Sequence, residues 1–308
     1  MESHTIEKTF DLIVGCDGVN SVVRTAMDAA FPDFTFQKMA LVGNFKVCRL
    51  AANPPKLDPT SVALLFPSKG TTTTTAFVEP TVNGSSCILF AGRDKDRIME
   101  PSCSPYNRTE MVKAIVEYFP LLEGCDLNEL ARQLETQSPS TASSVKSNIY
   151  HYGSIVALCG DAAHATGVVS GQGVNSALVD SSILANCLES MYQNQTKKET
   201  SLQNALLAYS QRQVPEGYAL YDLSFGPSPK KMFQKVKFAL VTARDTLFRG
   251  RFGIGEPPLQ TLLTTSLKPF SDIRRDRNEF YDEPFPDAAS FNQTLARVYS
   301  QKETTALL

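Results

Sequence analysis

The segment from Ile155 to Asn175 constrains the fold of this chain more than any other stretch. It contains an apolar run that ends at Cys159, the corner Gly160-Asp161-Ala-Ala-His164, and a glycine loop before Asn175. This order predicts a buried strand, a sharp corner and the start of a helix. Because the first turn of a helix leaves backbone N–H groups available to a ligand, the segment indicates a binding corner of an open α/β sheet.

The side chains of this corner suit a ligand that combines a polyol with a phosphate or an electron-rich ring. Asp161 follows the strand and can accept hydrogen bonds from sugar or ribitol hydroxyls. Gly171 and Gly173 let the backbone pass close to a ligand, and the positive end of the helix dipole favours negative charge. Gly-Asp alone is more often an ordinary corner, whereas the complete motif, with His164 and Asn175 in register, favours a binding site.

A second motif lies near the start of the chain, in Asp11-Leu-Ile-Val-Gly-Cys-Asp17-Gly18-Val-Asn-Ser21-Val-Val-Arg24. Its apolar run predicts a strand that ends in a tight Asp17-Gly18 turn, and Ser21 suits the cap of a helix over residues 21 to 29. Arg24 can pair with a carboxylate or a phosphate. Each residue is ordinary when taken singly, so the information lies in the spacing as a whole.

Between the two motifs the residue composition becomes typical of β-strands. β-branched and aromatic runs at 41–50, 62–66, 71–78 and 87–91 are separated by Pro, Gly and Asn turns and predict an antiparallel sheet. Helical spacing predicts helices at 109–119, 127–134, 174–188, 202–211 and 230–248. In the third of these, one face is expected to be buried, and its residues are Val174, Ala177, Leu178, Ser181, Leu184, Ala185 and Leu188. We expect the polar tail after Phe270 to be loose.

The composition excludes several classes of protein. The 30 Lys and Arg residues nearly balance 32 Asp and Glu residues, which gives no overall field for nucleic acid and favours a small-molecule partner. The seven cysteines include no Cys-x-x-Cys pair, so neither a disulfide framework nor a metal site is predicted. No apolar run reaches the ~20 residues of a membrane-spanning helix. We expect a cytoplasmic location, or one peripheral to an organelle membrane.

The predicted helix near residues 230–248 is basic and amphipathic. Such a helix can dock on a membrane surface, but we favour the solvated outer face of a packed helix. Its basic residues are Lys230, Lys231, Lys235, Lys237, Arg244, Arg249 and Arg251, and its apolar face carries Phe233, Val236, Leu240, Ala243 and Leu247.

The two motifs, their order and the sheet between them resemble the single-component FAD-dependent aromatic hydroxylases. Residues 11–24 resemble the Asp-Gly motif of that family, and residues 155–175 resemble its Gly-Asp motif. The stretch Leu65-Phe-Pro-Ser-Lys-Gly70 is similar to the part of the substrate domain that covers the flavin. The stretch Tyr209 to Leu223 is similar to a helix of the kynurenine 3-monooxygenase branch. The resemblance covers residues 10 to 225.

The resemblance implies a mixed α/β fold. A partial FAD-binding, Rossmann-like domain carries an inserted antiparallel β-sheet substrate domain and C-terminal helices. We expect FAD-binding parts at residues 1–38 and 151–225, the substrate domain at 39–150, and a helical region with a loose tail at 226–308.

The resemblance also implies the cofactors and the residues that hold them. FAD is reduced by NAD(P)H, and O₂ supplies the oxygen that hydroxylates a small, kynurenine-like aromatic substrate. Arg24 is a further candidate for contact with NAD(P)H, and His164 is expected to pack rather than to act as a base. No catalytic residue is assigned. The ribitol would bind Asp161 beside Gly160. The pyrophosphate and the pyrimidine edge would face Gly171, Gln172, Gly173, Val174 and Asn175. The pyrophosphate would also lie near Asp17, Gly18 and Arg24.

The chain departs from the family at two places. It has no Gly-x-Gly-x-x-Gly unit for the ADP part of FAD, so we expect an incomplete chain that purifies nearly colourless. Near the flavin, Val168 stands close to the position where the family commonly has a proline. Two alternatives stay open: a non-catalytic remnant that serves as a binding module, and a flavin-dependent reductase of the same superfamily.

Overall fold

The computed structural model describes residues 8–68, 72–93, 98–99, 108–167, 170–193, 198–226, 232–252, 257 and 259–293. They form two compact units. Unit 1 comprises the residues up to Met39 and those from Ser143 onward, and unit 2 comprises Ala40–Ala142. The predicted boundary at residue 150 therefore differs from the observed one, because a polar strand at Ser143–Ser147 pairs within unit 1.

The elements follow one another in chain order. The strands are β1 (Ile13–Gly15), β2 (Phe36–Ala40), β3 (Asn44–Leu50), β4 (Ala63–Leu65), β5 (Thr75–Pro80), β6 (Ser86–Gly92), β7 (Ser143–Ser147), β8 (His151–Tyr152), β9 (Val156–Leu158) and β10 (His164–Thr166). The helices are α1 (Val22–Ala30), α2 (Arg108–Tyr118), α3 (Leu127–Thr136), α4 (Gly173–Gln193), α5 (Lys198–Phe225), α6 (Met232–Phe252), α7 (Leu259–Thr265) and α8 (Phe270–Asp276).

One sheet of unit 1 places the two sequence motifs side by side. Strand β1 runs parallel to β9, with Ile13 opposite Val156 and Gly15 opposite Leu158, and β8 completes the order β1-β9-β8. Because parallel strands end at the same edge of a sheet, the Asp-Gly turn after β1 and the Gly-Asp corner after β9 lie at one edge.

A second sheet of unit 1 has the order β10-β7-β2. Its strands were not predicted, because β7 reads Ser-Ser-Val-Lys-Ser and lacks the apolar run that indicates a strand. The hydrophobic core of unit 1 gathers buried residues of β8, β9, α4 and α5. Ala157, Leu158, Leu206 and Tyr209 are completely buried there. Helix α5 continues through Pro215, so the predicted helix 202–211 and the stretch from Tyr209 to Leu223 that resembles a family helix form one helix.

Unit 2 confirms the predicted antiparallel sheet. Its four strands have the order β3-β6-β5-β4, and β6 pairs in antiparallel register with both β3 and β5. Helices α2 and α3 supply the rest of a core in which Ile88, Phe90, Ile115 and Leu130 are completely buried. Together, the parallel pair and the antiparallel sheets confirm the mixed α/β fold. Residues 69–71 lie outside the described part, so the stretch Leu65–Gly70, which is expected to cover the flavin, is described only as far as Ser68.

The buried face of α4 differs from the predicted one. Leu184 is buried, but Val174 and Leu178 are 73% and 64% exposed. The buried face starts instead with the polar residues Ser176 and Asp180. Hydrophobic spacing could not reveal this face, because its first two residues are polar and Asp180 is held by hydrogen bonds.

The expectation of a loose tail after Phe270 is wrong for residues 270–293. Helix α8 forms there, and Ile273, Phe280, Phe285 and Phe291 are buried. These apolar residues are widely spaced among charged ones, so no periodic pattern indicated them. Residues 294–308 lie outside the described part.

The apolar face predicted to pack in α6 is exposed over its described part. Phe233 and Leu240 are 78% and 66% exposed. The helix instead turns Phe238 toward Phe280, with the ring centroids 5.4 Å apart, and Lys237 pairs with Glu279. Lys230, Lys231 and the side chains of Leu247, Arg249 and Arg251 lie outside the described part. Within the described residues, no helix combines the length and the apolar character required to cross a bilayer.

Candidate functional site

The Gly-Asp corner is built on a left-handed glycine. Gly160 has φ +60°, and a Cβ added to it would lie 2.9 Å from the Cβ of Ala177 on α4. A residue with a side chain would therefore be strained and would collide with the helix. Gly160, Asp161 and Ala162 form a short 3-10 turn, after which β10 begins at His164. The turn leaves Asp161 exposed at the end of β9.

The carboxylate of Asp161 faces the start of α4. A Cβ added to Gly173, the first residue of α4, would lie 3.9 Å from Asp161 Oδ1, so the two residues are neighbours. Partial burial among the surrounding protein atoms raises the pKa of this exposed carboxylate, while the nearby His164 acts in the opposite direction. A carboxylate oxygen of Asp161, which is a hydrogen-bond acceptor, therefore lies beside the positive end of the dipole of the 21-residue helix α4.

Some of the residues predicted to bind the flavin from the glycine loop are exposed, and Gln172 is buried. Gly171 has φ +68° with open space where a Cβ would stand, and Val174 and Asn175 are also exposed. Gln172 is buried, and its Oε1 accepts a hydrogen bond of 3.0 Å from Asn175 Nδ2. Gln172 therefore shapes the loop from within. Val168, where the family commonly has proline, lies outside the described residues.

The Asp-Gly turn caps α1. Asp17 Oδ2 accepts hydrogen bonds from the backbone N–H groups of Val22 at 2.7 Å and Val23 at 3.2 Å. Burial disfavours its charge, but hydrogen bonds from Ser21, Val23 and Val22 outweigh burial and lower the pKa of Asp17. Gly18 follows with φ +77°. The carboxylate thus has a local role at the first turn of the helix.

Arg24 joins the two motifs instead of facing a ligand. Its side chain is buried, with 2% of the residue exposed. Nη1 donates to the carbonyl of Ala162 at 2.9 Å, and Nη2 donates to the carbonyl of Val19 at 2.7 Å. The sequence had suggested a phosphate or NAD(P)H as the partner of Arg24. The spacing of the motif does not reveal that the side chain turns inward.

Two residues that hold the Gly160–His164 corner were not predicted from the sequence. Asp180 accepts hydrogen bonds from the backbone N–H of Gly160 and from the His164 ring, and Tyr209 donates from its hydroxyl to the carbonyl of Leu158 at 2.8 Å. A signal for Asp180 existed, since a carboxylate stood among the apolar positions of a helix expected to be buried. Tyr209 carried no such signal.

The residues present fit the ribitol and pyrophosphate part of a flavin dinucleotide. Asp161 offers an acceptor for ribitol hydroxyls, and the glycines beside it keep side chains away from that carboxylate. The backbone N–H groups at the start of α4 suit a phosphate or a negatively charged ring edge. None of the residues predicted for the flavin lines the cavity of about 420 Å³ in unit 1, which is formed by Thr35, Phe36, Gln37, Lys146, Asn148 and Tyr218.

Comparison with known proteins identifies the family of this chain. Residues 3–223 match the family model described as FAD binding domain. Kynurenine 3-monooxygenase acdD of Aspergillus candidus is 30% identical over 286 residues, which cover 87% of this chain and 54% of that protein. Violacein synthase of Chromobacterium violaceum is 30% identical over 61% of this chain and 43% of its own length. Kynurenine 3-monooxygenase of Caenorhabditis elegans is 25% identical over 97% and 60%.

Solved structures share the fold. The tetrameric form of 2-methyl-3-hydroxypyridine-5-carboxylic acid oxygenase superimposes with a TM-score of 0.56, at 21% identity, over 90% of this chain and 62% of that one. Klebsiella pneumoniae HpxO, solved with FAD and uric acid, gives a TM-score of 0.51 at 18% identity, over 83% and 59%.

The matches cover different shares of this chain and of its relatives. It spans about half the length of the curated relatives, with 54%, 43% and 46% of the first three covered. The family model, in contrast, covers most of the chain and includes both sequence motifs. The chain belongs to the FAD-binding domain family of FAD-dependent aromatic monooxygenases.

Proposed function

We propose that this chain binds FAD and acts in the NAD(P)H-dependent hydroxylation of a small aromatic compound, with a kynurenine-like ring as the first candidate. One observation carries the proposal: the Asp161 carboxylate lies beside Gly173 at the N-terminus of α4. This arrangement matches the polyol and phosphate groups of a flavin dinucleotide better than it matches a ligand with only one of them.

We assign the binding roles residue by residue. Asp161 accepts from the ribitol hydroxyls, and Gly160 gives the corner its shape. Asp17 and Gly18 form the turn that flanks the pyrophosphate. The exposed backbone of Gly171, Gly173, Val174 and Asn175 faces the pyrophosphate and the pyrimidine edge, while Gln172 and Arg24 support these loops from inside.

The chemistry itself comes from the cofactor. FAD, when bound and reduced by NAD(P)H, supplies the transfer of oxygen from O₂ to an electron-rich ring. The helix N-terminus beside Asp161 favours negative charge on a reduced flavin. The four-stranded sheet of unit 2 favours a hydroxylase over the reductases of the superfamily. The names of the relatives favour a kynurenine-like substrate, although they include a violacein synthase.

Flavin binding tests the core of this proposal. Replacing Asp161→Ala should weaken FAD affinity by about tenfold to a hundredfold, because hydrogen bonds to a charged acceptor contribute about 1.5–3 kcal/mol. Quenching of flavin fluorescence in a titration of the purified chain measures the affinity. The exposed Asp28→Ala on α1 is the control, and it should bind FAD like the original chain. Equal affinity of the Asp161 variant and the control would remove Asp161 from the site.

Turnover tests the reaction. With FAD bound, kynurenine should increase the consumption of NADPH or NADH together with the uptake of O₂, and a hydroxylated product should appear. Oxidation of the nicotinamide without a hydroxylated product across a panel of aromatic compounds would contradict the monooxygenase assignment and favour the reductase.

A further inference from the structure

The carboxylate of Asp180 lies directly beneath the Gly-Asp corner. Asp180 is 1% exposed and stands on α4, two turns after Gly173. Its Oδ2 accepts a hydrogen bond of 2.9 Å from the backbone N–H of Gly160 and one of 2.7 Å from His164 Nε2. A single oxygen atom therefore holds both ends of the Gly160–His164 corner. Removal of that acceptor would leave a buried N–H and a buried ring nitrogen without a partner.

The His164 ring is itself fixed from its other side. Tyr150 stacks on it with ring centroids 5.4 Å apart, and both rings pack against α5 at Gly217. A Cβ added to Gly217 would lie 2.0 Å from the Tyr150 hydroxyl and 2.9 Å from His164 Cγ. Because the ring has no room to turn, its hydrogen bond to Asp180 has a defined direction.

The middle of the corner is held from the opposite motif. Arg24 Nη1 donates to the carbonyl of Ala162 at 2.9 Å, as described above. The backbone on both sides of Asp161 is thus anchored: Gly160 through Asp180, and Ala162 through Arg24. The Asp161 side chain lies between these two anchors and is exposed to a ligand.

We propose that Asp180 is a positioning residue, which orients Asp161 toward the flavin ribitol by holding Gly160 and His164. This inference rests on the function proposed above, because it assigns the ribitol to Asp161. Asp180 does not touch the cofactor in this arrangement. Its effect on FAD binding passes entirely through the corner, so the effects of changing Asp180 and Asp161 should not add.

A matched pair of variants separates the hydrogen bonds from the shape of the side chain. Asn and Leu have nearly the same shape, but only Asn can place an oxygen at the position of Oδ2. Asp180→Leu should weaken FAD affinity by about tenfold or more, whereas Asp180→Asn should restore most of it. Leu184→Ala, one turn further along the same buried face, is the control for stability. It should lower the melting temperature without a comparable loss of FAD affinity.

A double-mutant cycle tests whether Asp180 acts through Asp161. In Asp161→Ala, the further change Asp180→Leu should cost less than threefold in FAD affinity, since the oriented group is already absent. Independent effects, whose fold-changes multiply, would overturn the positioning role. Equal FAD affinity of Asp180→Leu and Asp180→Asn would overturn it as well.

Hydrogen exchange gives a readout that needs no flavin. Amide exchange of the segment 158–166, measured by mass spectrometry, should be faster in Asp180→Leu than in Asp180→Asn and Leu184→Ala. Equal exchange in the three variants would overturn the inference, even if FAD does not bind. Failure of the original chain to bind FAD, with exchange as expected, would instead contradict the proposed function and leave the corner held by Asp180.

Discussion

Two buried cations of this protein, Arg24 and Lys46, have backbone partners that lie far away in the sequence. Arg24 contacts Ala162, and Lys46 in β3 donates from Nζ to the carbonyl of Leu134 near the end of α3 at 2.8 Å. Both side chains are almost completely buried. Burying a charge is costly unless hydrogen bonds compensate for the lost water. These two residues therefore connect elements, and their environment changes their proton affinity.

The stability of unit 2 should depend on the ionisation of Lys46. Burial lowers the pKa of Lys46 to about 8, below its ordinary 10.5, with the Cys48 thiol acting in the opposite direction. Between these values the unfolded chain binds more protons than the folded one, so stability rises with pH. Through this group, the free energy of unfolding should rise by about 1 kcal/mol from pH 7 to pH 9.

Urea unfolding, followed by circular dichroism at pH 7 and pH 9, measures the free energy of unfolding of the original chain and of Lys46→Met. The effect of Lys46 is the difference between the pH dependences of the two proteins. The difference cancels the other titrating groups, including Cys48, whose pKa burial raises to about 12. A Lys46→Met variant with the same pH dependence as the original chain would contradict the prediction.

At the scale of elements, the predictable features are those with a local cause. The turn at Asp17-Gly18, the cap of α1 at Ser21 and the corner at Gly160 follow from residues next to one another, and the structure contains all three. The strands β2 and β7 and the helix α8 have no such local signal. The two strands become regular structure because neighbouring strands pair with them, and α8 forms where Ile273 is buried.

Helix α8 should depend on Arg274 for its attachment to α5. The guanidinium is buried, donates from Nε to Asp222 at 2.9 Å and lies 3.4 Å from the centre of the Tyr281 ring. Lys has the charge but not the planar fork, so Arg274→Lys should destabilise this segment by about 1–3 kcal/mol.

Limited proteolysis within residues 266–293 detects this opening. Arg275→Lys is the matched control, since Arg275 on the same helix is more exposed and pairs with Asp272 one turn away. Equal cleavage of the two variants would show that Arg274 does not attach the segment.

At the scale of the whole molecule, each of the two units has its own large hydrophobic core. Ile115 belongs to the core of unit 2 and Leu206 to that of unit 1, and both are completely buried. Ile115→Ala and Leu206→Ala should each cost about 2–5 kcal/mol, because each leaves a cavity. Each variant should also increase hydrogen exchange within its own unit, Ala40–Ala142 for the first and the remainder for the second. Equal increases throughout the described chain would indicate a single cooperative unit.

The sequence by itself determined the strand and the following turn of both motifs and the antiparallel sheet, because apolar periodicity and glycine positions act over a few residues, and the two motifs carried the resemblance to the family. Only the tertiary structure decided which side chains of the candidate site face outward. Asp161 and Asp180 are both carboxylates beside glycines or small residues, yet Asp161 is exposed and Asp180 is buried beneath it. The difference arises from contacts across 16 to 138 positions of the chain, which no local pattern records.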